Sequence, residues 1–326
     1  MKTVLPIPEQ SGFVLLLPES VRLAPETVIT NTPVGIKLFR NGCALEISLP
    51  VDACAPFQRA LGGQGAGMST AGLALCWRQL MEKLAACGFL SDAVPSDTAE
   101  FVSALNTLTT VIDTIHQHEV KAFPSSHALN RLIAGEYAQS AVVEWLVENY
   151  HYTKSAPTHI APVFGHAMSA AERLLWQRFY EDESWHWRIY RPALHQFGLD
   201  FKTVDLRPPA KATARFISAL RSAAEASAIA YAAVMLFIER PPLCTDMNDD
   251  PLFGSLLRSH GFSRRSIQPL WWHAVENLSA GHSGLGAAVI LNRGQIPRTE
   301  LDTAISAVRD VVEATSAWHQ DILEPR

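Results

Sequence analysis

A chain of 326 residues, 48% hydrophobic and 18% charged, carries enough apolar material for one large domain or two unequal ones and falls outside the disordered class. Its formal net charge of −5 leaves no basic surplus to neutralise phosphates, so a nucleic-acid partner is not expected. No apolar run reaches the length of a membrane span: the nearest, Ala223 to Ile238, contains Glu225 and runs into Glu239 and Arg240. At the start of the chain, Pro6, Pro8 and Glu9 interrupt what would be a signal-peptide core, and a cytoplasmic protein without a membrane partner is expected. The five cysteines (Cys43, Cys54, Cys76, Cys87 and Cys244) form no Cys-x2-Cys pair, which favours free buried thiols over a zinc site.

Strand-like runs come first, at 13–17, 27–30, 34–39 and 44–49. Arg40-Asn41-Gly42 between the last two is a hairpin signal, because Asn-Gly tolerates positive φ. The glycine-rich stretch 62–67 reads as a loop, and with no following Lys-Ser/Thr it is not a phosphate loop. An amphipathic helix is predicted from Leu73 to Leu84, closed by Gly88. This order of elements suggests a small α+β, winged-helix-like domain over 1–92, with a linker at 91–97 around Pro95.

From residue 98 the pattern is helical to the end. Ser96 or Asp97 can cap a helix running to about His118. Val142, Val143, Leu146, Val147 and Tyr150 predict a second helix over 139–154, ended by Pro157 and Pro162. A third spans 170–197, kinked or divided by Pro192. A fourth, long and Ala-rich, spans 212–239 before Pro241-Pro242. A fifth covers 266–291 with a bend near Gly281, and a sixth covers 300–323. The expected class is mainly α, a helical bundle over 98–326.

Carboxylates and imidazoles recur on these helices. Glu144 and His151 are seven residues apart, which puts both within ~20° on one helical face. Glu239 follows the apolar run Ala232 to Ile238, and the fifth helix carries His273, Glu276 and His282. Facing helices of a bundle hold iron with such residues, carboxylate oxygens and imidazole nitrogens leaving open positions for dioxygen. Each residue also has a plain reading. Glu144 can be an exposed helix residue, His151 a satisfied core histidine, Glu239 a partner of Arg240 or Arg191, and His273 a ring packed beside Trp271 and Trp272. Taken together they favour a cation, since several converging buried carboxylates are costly without one. Glu183 and His186, three apart on the third helix beside Trp185 and Trp187, fit a substrate pocket or a supporting role at the metal, with a surface pair as the alternative.

The run His127 to Tyr137, then Glu144 to Tyr152, then Ala156-Pro157 resembles pyrroloquinoline-quinone synthase and the thiaminase-II group, both of the haem-oxygenase-like fold. Within that fold the non-haem diiron oxidases and oxygenases carry Glu-x6-His on one helix, Glu on a later one, and His-x3-Asp-x2-His about thirty residues beyond. Glu144 and His151 match the first element, and Glu239, 34 residues before His273, matches the next two. The last cluster departs from the pattern. Asn277 and Ala280 stand where Asp and His would, while Glu276 and His282 lie one step before and two steps after those places. On a regular helix His273 and His282 face opposite ways, so a second metal needs a π-bulge near Gly281.

The resemblance implies an iron-dependent oxygenase or oxidase, with two ferrous ions expected and one as the fallback, and with dioxygen as co-substrate. Glu144, His151, Glu239, His273, Glu276 and His282 would be its ligands, and the tryptophans would shield the pocket from water. The substrate would be an amino-acid-like small molecule or a peptide. The N-terminal domain is similar in element order to winged-helix domains that hold leader peptides, with the hairpin 35–49 offering an edge strand. A plain packing or homodimerisation role for it is the alternative. Two other functions stay open: a metal-free oxidase or a hydrolase on the same fold, and a non-catalytic peptide- or partner-binding protein.

Overall fold

The computed structural model describes residues 21–23, 26–33, 35–40, 43–48, 84, 88–92, 97–240, 244, 246–279 and 282–325. Of the sequence expectations, the strand at 13–17, the glycine-rich loop at 62–67 and all but the last residue of the helix 73–84 lie outside them. So do the side chains of 276–279, 282 and 283.

Residues 1–116 with 290–301 form one compact unit, and 117–289 with 302–326 a second. The division falls later than the boundary expected at 92–98. In the first unit, β2 (Val28–Thr32), β3 (Gly35–Arg40) and β4 (Cys43–Ser48) make an antiparallel sheet in the order β2-β3-β4. Arg40 pairs with Cys43, the two-residue hairpin that Asn-Gly signals. Alternation along β3 and β4 buries Ile36, Leu38, Leu45 and Ile47. Strand β1 (Val21–Leu23) pairs with β5 (Leu90–Asp92), so the expected linker begins inside a strand.

The predicted start of the first long helix also differs. Phe101–Ser103 is a strand, β6, paired with β7 (Gln295–Pro297), and helix α1 runs from Ala104 to Ala122. Asp97 does not cap that helix directly. Its Oδ1 accepts the Ser103 N–H at 3.0 Å, and Ser103 Oγ accepts the Asn106 N–H at 3.1 Å. The first half of α1 belongs to the first unit because it holds the sheet. The buried Arg40 guanidinium donates to the Gly88 carbonyl at 2.9 Å and to both Asp113 oxygens at 2.9 and 3.0 Å, and Thr109 Oγ1 donates to Leu90 O.

The second unit is helical: α2 (Ala128–Ile133), α3 (Gln139–Lys154), α4 (Ala156–Ile160), α5 (Ala170–His186), α6 (Arg191–Gln196), α7 (Phe201–Asp205), α8 (Lys211–Ala226), α9 (Ala228–Ile238), α10 (Pro251–Arg258), α11 (Arg264–Ser279), α12 (His282–Leu291) and most of α13 (Arg298–Leu323). Helix α3 has the predicted limits, and Pro157 starts α4 rather than a loop. The third predicted helix is two: a 3-10 turn at Trp187–Tyr190 separates α5 from α6, and Pro192 sits in the first turn of α6, where its missing N–H costs nothing. The long Ala-rich helix is also broken. Ser227 is extended (φ −167°, ψ 146°), and its hydroxyl accepts the N–H groups of Ile229 and Ala230, capping α9. Residues 228–235 of α9 are buried on every side, so α9 is the central element of this unit. Gly286 of α12 lies against the Ala232 carbonyl and the Leu236 side chain, where a Cβ would not fit.

Candidate metal centre

Helix α5 starts at a serine cap in the Ser-x-x-Glu order. Ser169 Oγ accepts the Glu172 N–H at 3.1 Å, and Glu172 stands three residues on. Its buried stripe is Trp176, Phe179 and then Glu183, a 3-4 spacing that puts the carboxylate where an apolar residue would be expected. His186 is one turn further on the same face. Glu183 Oε1 and His186 Nδ1 approach to 2.8 Å. From α11, the His273 ring meets His186 with centroids 4.1 Å apart and planes at 56°. One ligand atom from each of Glu183, His186 and His273 lies within 4.8 Å of the others. Ligands at about 2.0–2.2 Å from a common ion lie at most about 4.3 Å apart, so small side-chain rotations fit this donor set to a metal.

The neighbourhood is an aromatic interior. His159 Nδ1 and the Tyr231 hydroxyl share a 2.8 Å hydrogen bond, and Tyr152 stacks on His159. Burial, and after it the carboxylates of Glu239 and Glu183, raise the Tyr152 phenol well above its ordinary range. Tyr231 is raised in the same way by burial, Tyr152 and the two carboxylates. Tyr190, raised mainly by burial, stands at about 12. All three are phenols at neutral pH. Burial pushes His159 down to about 4 against the opposing pull of Glu183, so its ring is neutral. Its Nε2 is buried with no hydrogen-bond partner, as is Trp176 Nε1. Tyr152, Tyr190 and Tyr231 all feel both carboxylates, which puts Glu239, at the C-terminal end of α9, on the same interior as Glu183.

Glu144 and His151 are placed differently. Glu144 is 43% exposed and paired with Arg207, which is its plain reading with an arginine partner. Glu148, one turn on, is buried and accepts the Ala210 N–H at 2.9 Å and the Thr213 hydroxyl. Together these carboxylates hold the start of α8, whose Ala210 offers no side-chain cap. His151 is buried, and burial lowers its pKa; its charged neighbours are Glu148, Arg207, Asp205 and Lys154 rather than Glu183 or Glu239. The Glu-x6-His pair is therefore not brought to His273, and Glu183-x2-His186 is. Arg240 pairs with Glu119, not with Glu239. Glu276 and His282 lie outside the described side chains. Residues 280 and 281, between α11 and α12, also lie outside the described residues. The tryptophans do not form a shield: Trp185 and Trp272 are 58% and 54% exposed, and the buried Trp271 packs on Phe253.

No protein-family model matches the chain, and no curated protein matches it. A solved structure that does match is the crystal structure of a domain of unknown function with a haem oxygenase-like fold from Shewanella denitrificans OS217. Its TM-score is 0.55 at 15% identity, over 66% of this chain and 91% of that one. No helix among the described residues is long and apolar enough to cross a membrane. The protein is mainly α, with a haem-oxygenase-like helical bundle and a small strand-bearing unit that holds its N-terminal sheet.

Proposed function

We propose that the protein is a non-haem iron oxidoreductase that uses dioxygen, with Glu183, His186 and His273 as metal ligands. The observation that carries this reading is the meeting of one carboxylate and two imidazoles from α5 and α11 within 4.8 Å. Two histidines and one carboxylate with open positions are the donor set of ferrous oxygenases. Bound there, iron supplies dioxygen activation. The chain's own residues set the surroundings. Glu183 offsets the ion's charge, the phenols of Tyr152, Tyr190 and Tyr231 are hydrogen-bond donors, and neutral His159 can accept or donate at Nε2. Glu239 borders the same interior and would be the carboxylate of a second ferrous ion, for which the resemblance implies Glu276 and His282 as the further ligands. An amino-acid-like molecule or a peptide is the substrate class, with β2 and β4, the edges of the three-stranded sheet among the described residues, as the candidate strands for a peptide to extend.

The test is anaerobic loading with ferrous iron followed by metal analysis and dioxygen uptake with candidate amines. Wild type should retain one or two irons per chain, Glu183→Ala and His273→Ala should lose them, and Glu144→Ala should keep them. Full iron retention by the first two variants would refute this ligand set. Dioxygen turnover without any bound metal would favour the metal-free oxidase. Iron binding with no uptake above blank would favour a binding protein.

A further inference from the structure

A second candidate site lies on the seam that joins the two metal-bearing segments. Arg191, His195 and Gln196 of α6, with Ser263, Arg265 and Ser266 at the start of α11, line a cleft of about 550 Å³. That size suits a small-molecule site. The acceptors of this cleft are already used. Gln196 Oε1 receives the Ser263 N–H and hydroxyl at 2.9 and 3.0 Å, and Ser266 Oγ donates to Ser263 O at 2.7 Å. Gln196 Nε2 is also occupied, by Gly261 O at 2.8 Å. What is left uncommitted is cationic or donating: two guanidiniums and one imidazole, with no carboxylate in the lining.

In a protein with more acids than bases, Arg40, Arg131, Arg207, Arg215, Arg221 and Arg240 each meet a carboxylate. Arg191 and Arg265 meet none among the described residues; the same holds of Arg173, Arg178 and Arg264, but Arg191 and Arg265 share the lining of one cleft. Two arginines converging without counter-ions are suited to the bidentate recognition of a carboxylate or a phosphate.

The position links the cleft to the metal centre. Its walls are α6 and the first turn of α11, and the His186–His273 ring contact joins the chain just before the first wall to the chain just after the second. Ser266 and His273 are seven residues apart on α11, hence within ~20° on one face and about 10 Å along the axis. We propose that this cleft binds the anionic group, carboxylate or phosphate, of the molecule acted on at Glu183, His186 and His273. Anion binding stands on the cleft alone, and the link to catalysis rests on the metal reading above.

The test uses the full chain at low salt, with inorganic phosphate and succinate as separate probes in titration calorimetry. One saturable site per chain is expected for at least one probe, and the tighter of the two identifies the group. The exposed double variant Arg191→Ala/Arg265→Ala should melt like wild type and bind the probe at least about tenfold more weakly, as loss of charge-assisted hydrogen bonds predicts. No saturable binding of either probe, or equal binding by the variant, would overturn the site. With cobalt(II) bound in place of iron, the nuclear relaxation of the bound probe should report a separation of about 10–15 Å, from the axial distance along α11. Undiminished relaxation times with both cobalt and probe bound would overturn the link to the metal. Probe binding in a protein that takes up no cobalt would instead count against the metal reading and leave the anion site standing.

Discussion

Replacing His319 by Gln should remove about one proton from the acid sensitivity of folding. His319 is on α13, buried, and its Nδ1 accepts the Trp145 indole N–H at 2.9 Å. The Trp318, Phe123 and His127 rings surround it. Burial, with the nearby His127, pushes its pKa down to about 3, against about 6.5 in an unfolded chain. The folded state therefore binds this proton more weakly than the unfolded state does. Between pH 6.5 and pH 3 the unfolded chain gains the proton first, so stability falls as pH falls, by about 1.4 kcal/mol per unit once well below 6.5. From pH 6.5 to pH 4 the loss is about 3 kcal/mol from this residue alone. Gln can still accept the indole N–H but does not titrate. Urea unfolding of both proteins at half-unit steps of pH measures the difference in slope, and the cost of the smaller side chain, being independent of pH, cancels. Parallel curves between pH 6 and pH 4 would refute the assignment of a buried neutral imidazole.

Other perturbations bear on the fold and the site together. Glu148→Ala removes the acceptor for Ala210 N–H and the Thr213 hydroxyl, and should destabilise by about 2–3 kcal/mol in denaturant melts through loss of a helix-start acceptor and orphaned buried donors. Glu144→Ala removes an exposed ion pair and should cost under about 1 kcal/mol in the same melts. Gly286→Ala places a methyl group against the Ala232 carbonyl, and should cost about 1–3 kcal/mol or shift the end of α9, visible as reduced metal retention. Asp113→Asn removes the bidentate carboxylate that the 7%-exposed Arg40 meets, and should destabilise by about 3 kcal/mol with little relief from added salt, since buried pairs are poorly screened.

The apolar periodicity of α3 and α13 was readable because a 3.6-residue pattern records which face is buried. It does not record what stands opposite. Glu144 and His151 share a face of α3, yet Arg207 from the turn after α7 takes Glu144, and nothing in the local sequence announces that long-range pairing. Glu183 is legible from the local pattern: a carboxylate continuing the Trp176–Phe179 stripe, with His one turn on, is a buried acid beside an imidazole. Ser227 was a visible cap inside an Ala-rich run, and the run's high helix propensity hid it. Strands β6 and β7 were hidden for the opposite reason, since three residues are too few for a period and their partners are nearly two hundred positions apart.

The end of α9 has an energetic consequence of its own. The carbonyls of a helix's last turn carry a partial negative charge of about half a unit, and here that end delivers Glu239 to an interior already shared with Glu183. Two carboxylates and a helix terminus thus superpose their fields over three phenols that stay neutral. On the metal reading proposed above, a divalent ion bound there would relieve the field of the backbone as well as that of the side chains, and the melting temperature should then climb as free metal rises.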